Sequence, residues 1–139
     1  MRHRVKKITF KKGKDASLMM TRKLVTGFIM RGKVETTLKR AKVIQQEVER
    51  LAEKSKKDTE ASRNFMAKKL GNNKISAILF KDVAPVIKEK KGGYIKIRKT
   101  GYRESDGSQL AVVEWVYPII KEVTETIAKL EEKPPVKTK

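Results

Sequence analysis

Gly92-Gly93-Tyr94-Ile95-Lys96-Ile97-Arg98 marks the point where the apolar spacing of this chain changes from three-or-four to two. Ile95 and Ile97 alternate with Tyr94, Lys96 and Arg98, the pattern of a half-buried strand, because successive strand residues point to opposite faces. Leu110 to Val116 follows as a valine-rich apolar run, and Asp106-Gly107 lies between the two as a turn. An antiparallel hairpin with a long loop is the simplest connection. The periodic segments before Gly92 have helical spacing, so the expected class is α+β with the hairpin last.

Working upstream, Asp15 reads as an N-cap, and Leu18, Leu24, Val25, Phe28 and Ile29 form a helical stripe that Gly32 ends. Arg22 and Lys23 fall beside that stripe. Lys33 to Thr36 fits a short strand or a plain connection. Thr37 reads as the next N-cap, since Leu38, Ala41, Ile44, Val48 and Leu51 recur every three or four residues to about Lys54, the strongest periodic signal present. Asp58 or Thr59 caps a third helix carrying Arg63, Phe65, Met66 and Leu70. Gly71-Asn72-Asn73 ends it and opens a fourth, on which Ile75, Ile78, Leu79 and Val83 share a face until Pro85 stops the pattern. Downstream, Pro118 closes the hairpin, and Ile119, Ile120, Val123, Ile127 and Leu130 line one face of a short amphipathic helix. Pro134-Pro135 then precedes a polar end with the composition of a disordered tail. The expected division is a basic arm over 1–14, a globular domain over 15–117 and an extension over 118–139.

Charge narrows the partner. The 139 residues carry 35 Lys and Arg against 16 Asp and Glu, a net +19, with a sequence pI near 10.2. Neutralising phosphates and releasing their counterions is the direct use of such a charge. Seven of the first fourteen residues are basic and none is acidic. That segment, Arg2, His3, Arg4, Lys6, Lys7, Lys11, Lys12 and Lys14 included, has too little apolar surface to order by itself and is expected to order on a polyanion. No lipidation signal, secretory signal or 18-residue apolar run points to a membrane. There is no cysteine, so thiolate metal sites and disulfides are excluded. Cytosol is the expected compartment.

No catalytic constellation emerges. His3 is the only histidine and has no Cys, Asp or Glu at ligand spacing, so no metal site is expected. Ser17, Ser55 and Ser62 have no histidine base but His3, which argues against a nucleophilic triad. Glu47, Glu49 and Glu53 on a basic helix read as i, i+4 partners of lysines rather than a tuned acid–base pair. Gly92-Gly93 precedes a strand, where a turn explains it and a phosphate loop does not. Neither enzyme activity, cofactor nor small-molecule substrate is expected. What the residues do offer is a surface: with Ile95 and Ile97 facing the helices, Tyr94, Lys96 and Arg98 project outward, where a ring and two cations can meet a backbone or an unpaired base. Tyr102 and Arg103 extend that composition toward the hairpin tip.

At this point the chain resembles a known family. Met1-Arg2-His3-Arg4, Thr36-Thr37-Leu38 followed by Ala41-Lys42, Leu79-Phe80 with Pro85 behind it, and Gly92-Gly93-Tyr94-Ile95-Lys96-Ile97 followed by Gly101-Tyr102-Arg103 are similar, in order from residue 1 to about 117, to the family of the seventeenth protein of the bacterial large ribosomal subunit. The resemblance implies a two-layer α/β domain of order α-β-α-α-α-β-β, in which a short strand before the second helix joins the hairpin in one sheet. It also implies a cytoplasmic structural constituent of the large (50S) subunit that binds 23S ribosomal RNA, touches neighbouring ribosomal proteins and supports assembly and translation. Its RNA contacts carried onto this chain fall on Arg2, His3 and Arg4 onward, on Lys42, and on Tyr94, Lys96 and Arg103. Relatives commonly have arginine where Val86 stands, and Ile8-Thr9-Phe10-Lys11-Lys12 also departs from their pattern. Two rival readings use the same charge or a few acids: a DNA- or RNA-compacting protein outside the ribosome, and a metal-dependent nuclease using Glu35 and Asp82.

Overall fold

The computed structural model describes residues 13–119. The arm contacts expected at Arg2, His3, Arg4, Lys6, Lys7, Lys11 and Lys12, and the helix expected from residue 120 onward, lie outside the described residues.

The first helix, α1 (Lys14–Arg31), opens one residue before the expected cap: Gly13 is the N-cap and Asp15 sits in the first turn, where a carboxylate is favoured beside unpaired amides. Gly32 ends it in the left-handed conformation (φ 71°), donating its N–H to the Phe28 carbonyl at 2.7 Å. The buried stripe is shorter than the spacing suggests. Val25, Phe28 and Ile29 are buried, but Leu18 is 57% exposed at the lip of a groove that Val43, Leu51 and Leu70 also line. β1 (Lys33–Thr37) follows directly, so the segment that fitted either a strand or a connection is a strand.

α2 (Leu38–Ser55) follows its pattern closely: Ala41, Ile44, Val48 and Leu51 are all buried, with Ala52 beside them. α3 (Glu60–Leu70) is capped by Thr59, whose Oγ1 accepts the Ser62 N–H at 3.3 Å. Gly71 ends α3 at φ 66°. α4 (Asn73–Ile78) is capped by Asn72, whose Oδ1 accepts the Lys74 N–H at 2.9 Å.

Pro85 does not stop the helix, contrary to expectation. A π-turn, Leu79–Val83, leads straight into α5 (Ala84–Ile87). A proline in a regular helix lacks a donor for the carbonyl one turn back and its ring crowds that carbonyl. The wide turn before it relieves this: the Ala84 N–H reaches back five residues to Leu79, and Pro85 falls in the first turn of α5, where no donor is needed. Residues 73–87 are therefore one helical rod, and Ile75, Ile78, Leu79 and Val83 share its buried face.

β2 (Ile95–Tyr102) and β3 (Gln109–Trp115) form the hairpin, and the sheet order is β1-β3-β2, antiparallel throughout. Glu114 stands opposite both Lys33 and Lys96, and Val113 opposite both Val34 and Ile97. A bulge interrupts β2 between Lys99 and Gly101. With its cations, it blunts this edge against further strand pairing. The inner face presents Ala111, Val113, Trp115 and Ile95 to the helices, and the Trp115 ring packs on Phe28 at 4.8 Å between centroids. Each such large side chain contributes about 1.5–3 kcal/mol by leaving water. Ile119, expected in the extension, is fully buried in this core.

The result is the α+β, two-layer arrangement the sequence suggests: four helical rods on one face of a three-stranded sheet, in the order α-β-α-α-α-β-β.

Candidate nucleic-acid interface

The face of the sheet turned away from the helices follows from strand parity. Because Ala111, Val113 and Trp115 point inward, Val112 and Glu114 point outward, and the register brings Lys33 and Glu35 of β1 and Lys96 and Arg98 of β2 beside them. Three cations thus flank two carboxylates. Glu114 lies 3.9 Å from Lys96 Nζ and 3.8 Å from Arg98 Nη2. Both cations are exposed and pairs this long are worth little, so both can turn to a phosphate at small cost. Lys33 was not singled out from the sequence; committing to β1 as a strand would have placed it here.

Tyr94 is not on this face. The residue precedes β2, and the turn through Gly92 (φ 141°) and Gly93 (φ 64°) breaks the strand parity on which its outward placement relied. The ring is 2% exposed and belongs to the core cluster. Its hydroxyl proton is shared between the Glu53 carboxylate and the Lys90 carbonyl, and the Lys56 ammonium lies 5.1 Å from the ring centroid. Burial, then the bond to Glu53, pushes the Tyr94 hydroxyl above its usual range. Lys56 and then Tyr94 hold the Glu53 carboxyl below its own. A buried tyrosine with its hydroxyl satisfied is a structural anchor.

Arg22 is also used internally. Its Nε donates to the Lys69 carbonyl at 3.0 Å and its Nη2 to the Lys68 carbonyl at 3.1 Å, closing the C-terminal turn of α3 with a cation where one is favoured. Arg63 makes a two-pronged pair with Asp58, both bonds at 2.7 Å, and Arg63 holds the Asp58 carboxyl below its ordinary range. At the hairpin tip Arg103 lies 3.4 Å from Asp106, which also accepts from the Ser108 hydroxyl and N–H. Tyr102 is 70% exposed, and Lys14, Lys23 and Lys42 are exposed on α1 and α2. The outer sheet face brings Lys96 and Arg98 together, whereas past the bulge Tyr102 stands opposite Gln109, on the parity of the inward-facing Ala111, and Lys23, Lys42 and Arg63 stand on separate helices.

The helix carboxylates find cations, though not at the spacing expected: Glu47 meets Lys69 of α3 at 2.8 Å, and Glu53 meets Lys56 three residues on at 2.9 Å. Glu35 is exposed on the outer sheet face and Asp82 is buried in the π-turn. Among the described residues no three His, Asp or Glu side chains gather as a metal would require, and no helix is long and apolar enough to cross a membrane.

Comparison with known proteins adds an independent line. The family model described as ribosomal protein L17 matches residues 20–116. The large ribosomal subunit protein bL17 of Persephonella marina is 40% identical over 118 residues, 84% of this chain and 95% of that protein. That of Sulfurihydrogenibium sp. is 39% identical over 120 residues, 85% of this chain and 99% of its own length. That of Methylacidiphilum infernorum is 35% identical over 117 residues, covering 83% and 88%.

Proposed function

This chain belongs to the ribosomal protein L17 family, and from that premise we propose that it binds 23S ribosomal RNA directly and supports assembly of the large subunit. The family's role is a structural one within the large ribosomal subunit, which brings ribosomal RNA and ribosomal proteins into contact with it. What supports the finer reading is the net +19 on a family domain whose outer sheet face carries Lys33, Lys96 and Arg98.

The division of labour we propose is as follows. The globular part, 15–117, docks through phosphates and 2′-hydroxyls and reads RNA shape more than sequence. Lys96 and Arg98 form one contact region, Tyr102 and Arg103 a second at the hairpin tip, and Lys14, Lys23, Lys42 and Arg63 reach RNA elsewhere on the helical side. The basic arm, with Arg2, His3, Arg4, Lys6, Lys7, Lys11 and Lys12, orders against RNA as the subunit forms. The working place is the cytoplasmic 50S particle, beside neighbouring large-subunit proteins.

A sucrose-gradient comparison of the full chain with a variant lacking residues 1–14 tests this. The full chain should sediment with large subunits, and the shortened one should fold, by circular dichroism, yet incorporate poorly. Sedimentation of the full chain with nucleoid, or wild-type incorporation without the arm, would refute the proposal.

A further inference from the structure

A groove of about 660 Å³ opens between α3 and the 73–87 rod, on residues that the sheet-face reading leaves unused. Its volume falls within the range of small-ligand sites. Ala67 and Ala77 contribute small side chains to its lining, and the half-buried Phe80 ring contributes an aromatic surface. Asn64 and Asn73 bring two exposed side-chain amides. An asparagine amide matches the paired donor and acceptor on the edge of adenine.

The electrostatics fit a nucleotide as well. Lys81 lines the groove as an exposed cation. Asp58 lines it too, but Arg63 neutralises that carboxylate through Nε and Nη2. The guanidinium is thereby held in one plane, a flat surface on which a base can stack, with Nη1 left for another acceptor. Phe80 and Lys81 both lie within the π-turn Leu79–Val83. Single wide turns of this kind recur at functional sites.

We propose that this groove receives one unpaired adenine of RNA, stacked on Phe80 and read at its edge by Asn64 and Asn73, with Lys81 on the adjoining phosphate. The inference rests on the RNA-binding reading above and adds to it a base-reading site away from the sheet face.

The test uses the full chain and two RNA hairpins identical but for one bulged position, adenine in the first and an abasic ribose in the second. Stacking and edge contacts should make the adenine hairpin bind roughly 10-fold tighter. Phe80→Leu, which keeps an apolar side chain against the core, and the surface pair Asn64→Ala with Asn73→Ala should each remove most of that preference while leaving the salt dependence unchanged. Lys81→Ala should instead lower the salt slope by about 1. Equal, salt-dependent binding of both hairpins by the wild type overturns the adenine site and leaves the RNA reading standing. Absence of salt-dependent binding to either hairpin overturns both. A preference that survives the asparagine pair and Phe80→Leu places base recognition elsewhere and also overturns the assignment.

Discussion

Replacing Tyr94 separates a structural ring from an RNA-stacking one. The side chain is 2% exposed within the core, and its hydroxyl proton is shared between Glu53 and Lys90. Tyr94→Phe keeps the ring and removes only the hydroxyl. Because the Glu53 side chain is 59% exposed, water can solvate the released carboxylate, and the loss should be about 1 kcal/mol, the net worth of an ordinary hydrogen bond. Tyr94→Ala also empties the ring site and should cost about 3 kcal/mol or more, as aromatic-to-alanine changes in cores do. At about 4 °C per kcal/mol for a domain of this size, the two variants should melt about 4 and 12 °C below the wild type. The single tryptophan, Trp115, lies in the same core and reports unfolding by fluorescence.

A pH series sharpens the same experiment. The folded-state hydroxyl of Tyr94 ionises above its ordinary value of 10.0, first because it is buried and then because it bonds to Glu53. Above pH 10 the unfolded chain gives up that proton while the folded one keeps it, so the folded state is the one binding more protons and stability falls as pH rises. That contribution is fully present below pH 10 and disappears through the folded-state pKa above it. Tyr94→Phe should lack the tyrosine part of this alkaline decline. A Tyr94→Ala protein as stable as wild type, yet with RNA affinity weakened by the 1–3 kcal/mol of a lost stacking contact, would refute the assignment.

Two further outcomes follow from the same geometry. Arg22→Ala removes both bonds to the end of α3 and should cost about 1 kcal/mol, with faster amide exchange confined to the last turn of α3; Arg22→Lys should not restore it, because an ammonium cannot reproduce the fork that spans the Lys68 and Lys69 carbonyls. Lys96→Ala with Arg98→Ala should leave the melting temperature within about 2 °C, since both cations are exposed and their pairs with Glu114 are long, while the slope of log affinity for ribosomal RNA against log salt falls by about 2.

What could be read in the sequence was whatever a single element decides by itself. α2 buries the same face its apolar spacing names, and the hairpin follows from alternation and Asp106-Gly107. The strand at Lys33–Thr37 is decided by its pairing with residues some eighty positions away; its own residues fit a strand or a connection, and only the family resemblance favours the strand. Tyr94 departs from the expected outward placement because alternation does not hold one residue upstream of the strand, next to two glycines with positive φ. Pro85 was misjudged because the rule for a proline in a regular helix does not foresee a wide turn placed before it. Arg22 looked like a free cation because nothing in its own helix reveals that the end of α3 lies within reach of its guanidinium. Of the sheet-face site, Lys96 and Arg98 were legible from strand period; the groove between α3 and the 73–87 rod was not, since Asn64, Asn73 and Phe80 come together only when two helices pack.

The strand order β1-β3-β2 sets a schedule for synthesis. β3 is the central strand and also the last, so β1 and β2 share no hydrogen bonds with each other and depend on residues 109–115 for every rung. A nascent chain that has emerged as far as β2 already carries all of the described helices but no sheet, and β1 must wait for a partner across most of the domain. Such long-range closure is slow and leaves unpaired edges exposed meanwhile. The sheet face that carries Lys33, Lys96 and Arg98 therefore comes into being in one late step, and a chain cut short before Gln109 would reach its partners with the described helices formed and that surface missing.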